Sequence, residues 1–206
     1  SKDGRPDAAF QAVQIMNARQ PAPYFPVHAA GLLPGMPYVC LRVPTGGGKT
    51  LLACHTAGIA MEELLHAERA VVLWLVPSNT ILDQTADALR DPRHPYRRAL
   101  ELSCGAVEVL TIDEALHLTR AVVDGQTVVI VATIQSFRVE DTTGRKVYER
   151  GGFSEHIDNV LANRLADQIP DKNGKPIPSL VNALRLRRPI VIVDEAHNAR
   201  TKLSFS

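Results

Sequence analysis

The sequence predicts an α/β fold, a three-layer sandwich on a doubly wound parallel sheet. Three observations carry this. Short apolar, β-branched runs alternate with segments of helical spacing along most of the 206 residues, as strands and covering helices do in a parallel sheet. A glycine-rich run, Pro44-Thr45-Gly46-Gly47-Gly48-Lys49-Thr50, stands between the first apolar run and the first long helical pattern. The last apolar run, Ile190–Val193, ends in two adjacent carboxylates, Asp194-Glu195, followed by Ala196-His197.

In chain order, Pro6–Arg19 sets Ala9, Val13 and Met16 at helical spacing, and Pro21, Pro23 and Pro26 break it into an extended connector. Tyr38–Val43 reads as a buried strand entering the glycine run. Lys49–Ala67, with Leu52, Thr56, Ile59 and Glu63 a turn apart, reads as a long helix. Ala70–Val76 is almost purely apolar and β-branched, a central parallel strand. Pro77-Ser78-Asn79 then offers Ser78 or Asn79 as N-cap for a helix over Thr80–Leu89.

Asp91–Pro95 is a turn-rich break. Val107–Ile112 and Thr127–Ala132 read as strands, with a short helix, Asp113–Arg120, and a tight turn, Asp124-Gly125, between them. Ile190–Val193 is the last strand. Residues 138–180 read as an insertion in one domain spanning 1–206. It begins with a β-hairpin in which Phe137-Arg138-Val139 and Lys146-Val147-Tyr148 flank Asp141-Thr142-Thr143-Gly144. A helix near Glu155–Ile169 and a polar loop, Pro170–Pro178, complete it.

Composition sets outer bounds. With 23 Lys and Arg against 22 Asp and Glu, the net charge of +1 neither supports nor excludes nucleic acid. The clusters Arg97-Arg98 and Arg185–Arg188 fit a solvated surface as well as a partner-facing one. Cys40, Cys54 and Cys104 are odd in number and widely spaced, as expected of buried free thiols in a reducing cytoplasm rather than a zinc site. No apolar run approaches the roughly 20 residues that span a bilayer, and Ser1-Lys2-Asp3-Gly4 has no apolar signal core. The expectation is a cytoplasmic protein without a membrane partner.

The two polar segments suggest a chemistry. Small residues let the backbone N–H groups of Gly46, Gly47 and Gly48 turn toward an anion. The helix that follows adds its positive N-terminal end. Lys49 supplies charge for β- and γ-phosphates, and the Thr50 hydroxyl can ligate magnesium. Thr45 and Leu51 flank this cradle on either side. Asp194 and Glu195 end a strand at the same sheet edge, where Asp194 can hold magnesium and Glu195 can deprotonate an attacking water. Either segment alone could be a bare turn or surface charge. Together they predict ATP with Mg2+ as cofactors and a nucleotide triphosphatase.

Val193-Asp194-Glu195-Ala196-His197 resembles motif II of superfamily 2 helicases of the DEAH-box type, and Pro44–Thr50 looks like their motif I. The general phosphate-loop pattern has a glycine where this chain has Val43, whereas the helicase variant of the loop fits. The segment from Leu75 to Thr85, with Pro77, Ser78 and Gln84, is similar to motif Ia, and Val131–Phe137 is similar to the Thr-x-x-Ser motif through Thr133 and Ser136. Order and spacing match the first RecA-like domain of a phosphate-loop NTPase motor. Asp194–Arg200 and the Thr133–Ser136 segment look most like the motor subunit of type III restriction enzymes and its relatives.

The resemblance implies that Pro77, Ser78, Asn79, Thr133 and Ser136 touch a nucleic-acid backbone, DNA in preference to RNA. Short hydroxyls and N–H groups at loop ends suit phosphates, although each of these residues also reads as a cap or turn residue. Family members often read adenine with an upstream glutamine. Gln11, after Phe10, is the nearest candidate, with Gln14 and Gln20 as alternatives. The chain stops soon after His197, so a fragment of a larger protein is expected, incomplete at the C-terminus of this domain. The second RecA-like domain and its arginine finger would then lie outside it. The competing reading is an ATP-binding switch or assembly module. A nucleotide kinase shares the loop but typically lacks the Asp-Glu-Ala-His strand end.

Overall fold

The structure, a computed structural model, describes residues 11–15, 39–44, 46–137, 146–157 and 169–195. The chain divides into two units, Ser1–Lys49 with Arg200–Ser206, and Thr50–Ala199. In the first unit, residues 11–15 are helical and Val13 and Ile15 are exposed. The rest of the expected N-terminal helix and its proline connector lie outside the described residues.

The strand expected at Tyr38–Val43 does not form over its described part. Val39 and Leu41 are exposed, and residues 39–44 carry no strand pairing. Apolarity favours a strand only where backbone N–H and C=O groups find a ladder partner. Cys40, in this segment, is accordingly exposed rather than buried, whereas Cys54 and Cys104 are buried, and all three are free.

The second unit follows the predicted alternation closely. Helix α1 (Lys49–Ile59) continues as a π-turn over Ala60–Leu64, where Leu65 N–H donates to Ala60 O. Strand β1 (Val71–Val76) leads into α2 (Asn79–Arg90), and Ser78 caps it by accepting Ile81 N–H. A further helix, α3 (Pro95–Cys104), fills a stretch the sequence left unassigned. His94 caps it, and Pro95 fits its first turn, where an N–H would lack a partner anyway. Strand β2 (Val107–Thr111) follows.

The helix expected over Asp113–Arg120 is instead two, α4 (Ile112–Ala115) and α5 (Arg120–Gly125). Thr111 and Glu114 form a capping box that starts α4. Asp124-Gly125 is the end of α5 rather than a tight turn. Strand β3 (Thr127–Thr133) is buried throughout and runs into a 3-10 turn, Ile134–Phe137. Helix α6 (Ser154–Ile157), helix α7 (Leu180–Arg187) capped by Ser179, and strand β4 (Ile190–Val193) complete the described elements. The apex of the expected β-hairpin and most of the helix near Glu155–Ile169 lie outside the described residues. The flanks of that hairpin are not strands: Phe137 belongs to the 3-10 turn and residues 146–148 form a turn.

The four strands are all parallel, in the order β2-β3-β1-β4. Side chains alternate across them. Val72, Trp74, Val76, Val129 and Val131 pack under α1, α2 and α3 through Cys54, Ala57, Leu82, Leu89 and Leu100. Val71, Leu73, Val128, Ile130 and Ala132 pack on the other face against Leu118, Phe153, Leu180 and Leu184. Both faces are covered, so β1 and the interior of β3 need apolar residues on both sides, which is why Val71–Val76 and the β3 run from Val128 to Ala132 are continuous apolar runs. The result is a three-layer sandwich.

Two arginines of the expected surface clusters are engaged in this fold. Arg97 is only 17% exposed, donating to Val107 O at 2.9 Å and pairing with Glu101 at 2.7 Å. Arg187 bonds Asp124 at 2.7 Å. Among the described residues, no helix is long and apolar enough to cross a membrane.

Candidate active site and nucleic-acid edge

The glycine loop needs its glycines. Gly46 and Gly48 stand at φ 78° and 77°, the left-handed region that side chains with a Cβ rarely adopt. At Gly47 an added Cβ would come within 2.7 Å of the Val43 side chain and 3.0 Å of Pro44 O. Gly47 N–H donates to Pro44 O at 3.0 Å, closing the turn. Lys49 opens α1 and is half-buried, as is Thr50, while Leu51 lies at the surface. Thr45 lies outside the described residues. Gln11 is exposed within the helical stretch 11–15.

In the second unit, one sheet edge collects the remaining candidates. Parallel strands end at a common edge, and loop residues following neighbouring strands stand side by side. Val76, the last residue of β1, pairs in register with Thr133, the last of β3. Leu75 pairs with Val193, and Asp194 N–H extends that ladder by donating to Leu75 O at 2.9 Å. The loops bearing Thr133, Ser78 and Asp194 therefore leave three adjacent strands. With strands about 4.8 Å apart, the outer two loops start roughly 10 Å from each other.

The hydroxyls at this edge are arranged but not exhausted. Ser78 Oγ accepts Ile81 N–H at 3.4 Å, which uses a lone pair and leaves its O–H as a donor. Thr133 and Ser136 bond each other at 3.0 Å. One hydroxyl donates, so the other keeps its proton for an outside acceptor. Ser78 and Asn79 are exposed, Ser136 is half-buried, and Thr133 is buried. Pro77, half-buried, carries no N–H and separates the end of β1 from the cap.

Asp194 and Glu195 are both half-buried. Asp194 Oδ1 accepts the N–H of Glu195 at 2.9 Å, and Glu195 stands at φ 50°. A non-glycine residue there costs on the order of 1 kcal/mol or more, and such strain gathers at functional sites. Nothing in the residue types announces this turn. His197 lies outside the described residues. Among the described residues, no three His, Cys, Asp or Glu side chains form a group able to hold a metal ion.

The residues singled out from sequence did not include the ones that brace this edge. Tyr148 donates its hydroxyl to Phe137 O at 2.9 Å, tying the following segment to the turn that carries Ser136. Asn182, fully buried, accepts Ile169 N–H at 2.8 Å and donates to Ile169 O and Ile177 O at 2.9 and 2.8 Å. A buried asparagine in an otherwise apolar helix, Leu180–Leu184, is the signal that marks such a clamp.

No curated protein and no solved structure matches the chain. The model of the family described as type III restriction enzyme, res subunit, matches residues 15–206. That range contains the glycine loop, the hydroxyl-bearing edge and the acidic pair. Together with the all-parallel sheet covered by helices on both faces, it makes this a RecA-like phosphate-loop domain of helicase type. The chain belongs to the type III restriction enzyme res subunit family, a family of DEAD-like helicase motor domains.

Proposed function

We propose that this chain is the ATP-binding half of an ATP-dependent helicase or double-strand translocase that acts on DNA. The observation that carries the reading is the sheet edge on which Thr133, Ser78 and Asp194 follow three adjacent strands. It sets hydroxyls with protons to donate beside a paired carboxylate turn. Hydroxyls suit a phosphodiester backbone without reading sequence.

Gly46, Gly47, Gly48 and the start of α1 cradle the phosphates, with Thr45 and Leu51 flanking them and Lys49 supplying charge. Gly47 must release Pro44 O to present its N–H. Magnesium favours one or two protein oxygens completed by phosphate oxygens and water, and Thr50 with Asp194 supplies that number. Glu195 takes the proton of the attacking water. Gln11 reads adenine. Pro77, Ser78, Asn79, Thr133 and Ser136 line the nucleic-acid track. A second RecA-like domain supplies the arginine that stabilises the transferring phosphoryl group, a contribution of about a thousandfold or more.

Steady-state ATP turnover and nucleic-acid binding by this chain test the reading, using single- and double-stranded DNA and RNA. The expected outcome is very slow turnover, with ATP bound and nucleic acid held weakly, more tightly as salt falls. Robust nucleic-acid-stimulated turnover by a monomer of this chain would contradict the half-motor assignment. ATP binding without any nucleic-acid binding would favour a switch or assembly module instead.

A further inference from the structure

We propose that the loop 170–176, with Arg150 beside it, is a second phosphate-contacting surface that extends the nucleic-acid track beyond the Ser78 and Thr133 loops. This rests on the reading above that the chain binds nucleic acid, and adds to it a place and a set of residues.

The loop is a built mount. Pro170 and Pro176 form an antiparallel bridge, Asp171 N–H donates to Lys175 O at 2.7 Å, and Gly174 N–H donates to Asp171 O at 3.0 Å. Asp171 Oδ1 accepts Lys175 N–H at 3.0 Å and Asn173 N–H at 2.8 Å. The first of these N–H groups does most to hold the carboxyl below its ordinary range, so Asp171 stays ionised and directed into the turn. Its side chain is 22% exposed. Beneath the loop, the three Asn182 bonds fix Ile169 and Ile177. Lys172 and Lys175 project from this mount into solvent. Arg150, 66% exposed, stands 3.7 Å from Asp171. Charges held on a rigid support lose less entropy on binding than charges on a mobile loop.

The mount is joined to the same sheet edge. Gly151 N–H donates to Pro178 O at 2.7 Å and Val181 N–H to Val147 O at 3.1 Å. Tyr148 then bonds Phe137 O, which closes the turn holding Ser136. Helix α7 starts from Ser179 and runs back to the beginning of β4, so its first residue lies where the parallel strands end. Three exposed cations thus stand on a mount that is hydrogen-bonded, through Tyr148, to the turn carrying Ser136. A regularly charged polyanion offers phosphates to several cations in a row, whereas a single small anion would use only one.

The test compares the wild-type chain with Lys172→Ala/Lys175→Ala and with Arg150→Ala. Fluorescence anisotropy of labelled DNA is followed across a salt series, with circular dichroism as the fold control. The plot of log affinity against log salt should flatten by about 0.7–0.9 per lost contact, roughly 1.5 for the double variant, equally on unrelated sequences. A charge reversal, Lys172→Glu/Lys175→Glu, should weaken binding further. Wild-type binding with an unchanged slope in all three variants would overturn this proposal and leave the motor reading standing. No wild-type binding to any nucleic acid at low salt would overturn both.

Discussion

Asp194 turns one carboxylate oxygen back on its neighbour: its Oδ1 accepts the N–H of Glu195 at 2.9 Å, and Glu195 takes up φ 50°. One residue thereby stabilises the strained backbone of the next. The proposed magnesium site would use the other Asp194 oxygen, and Glu195 is set apart from the strand direction that would have continued β4. The division of labour proposed for the pair is compatible with this turn, which breaks the strand geometry between the two residues.

Glu195→Gln tests that division. The amide keeps the size of the side chain and its capacity to hydrogen bond, and it tolerates the same backbone, but it takes no proton. In a motor containing this chain and a second RecA-like half, turnover should fall roughly a hundredfold or more. ATP affinity should stay close to wild type. Stopped-flow turnover and nucleotide titration separate these effects, and turnover that survives the change removes Glu195 as the base.

Gly58→Ala should loosen the helix that begins at Lys49. A Cβ at Gly58 would stand 2.3 Å from Ser103 Cβ and 2.8 Å from Ser103 O, where α1 crosses α3. His55 Nδ1 and Ser103 Oγ meet at 3.2 Å at the same crossing. Alanine gains about 1 kcal/mol in a helix interior, but overpacking costs about 1–3 kcal/mol. The clash wins, and Tm should fall by roughly 2–4 °C per kcal/mol of net loss. An unchanged or higher Tm by calorimetry would show that the crossing can open at no cost.

Asp124→Asn gives a pH signature. The Arg187 guanidinium, then Arg120, holds the Asp124 carboxyl below its ordinary value of 3.8. A depressed folded-state value means stability that is present above 3.8 and lost as pH falls through the lower folded value. The variant should therefore be less stable than wild type at neutral pH and converge with it in acid. The effect is small and shrinks with salt, because Asp124 is 47% exposed. Urea melts across pH measure it, and a difference that grows below pH 3.8 contradicts the sign.

Much of this was legible because burial writes itself into composition. Val71–Val76 and, between its two terminal threonines, the β3 run from Val128 to Ala132 are covered on both faces and so are apolar throughout. Ser78 announces its helix by its capping chemistry. Tyr38–Val43 misled because an apolar run does not state its ladder partner. Helix α3 was hidden because Arg97 and Arg98 read as surface, although Arg97 crosses to Val107 O and pairs with Glu101. The clamp at Asn182 and the left-handed Glu195 depend on long-range hydrogen bonds and on backbone strain. Neither has a local sequence period.

The loop ending in Lys49 and Thr50 is proposed to bind the phosphates of ATP. Isothermal titration of Mg-ATP into the wild-type chain and into Lys49→Ala tests it most directly. A hydrogen bond to a charged group contributes about 1.5–3 kcal/mol, so binding should be measurable in wild type and weaker by about ten- to a hundredfold in the variant. Equal affinity in the two proteins, or no binding by the wild type, would remove this loop as the phosphate site.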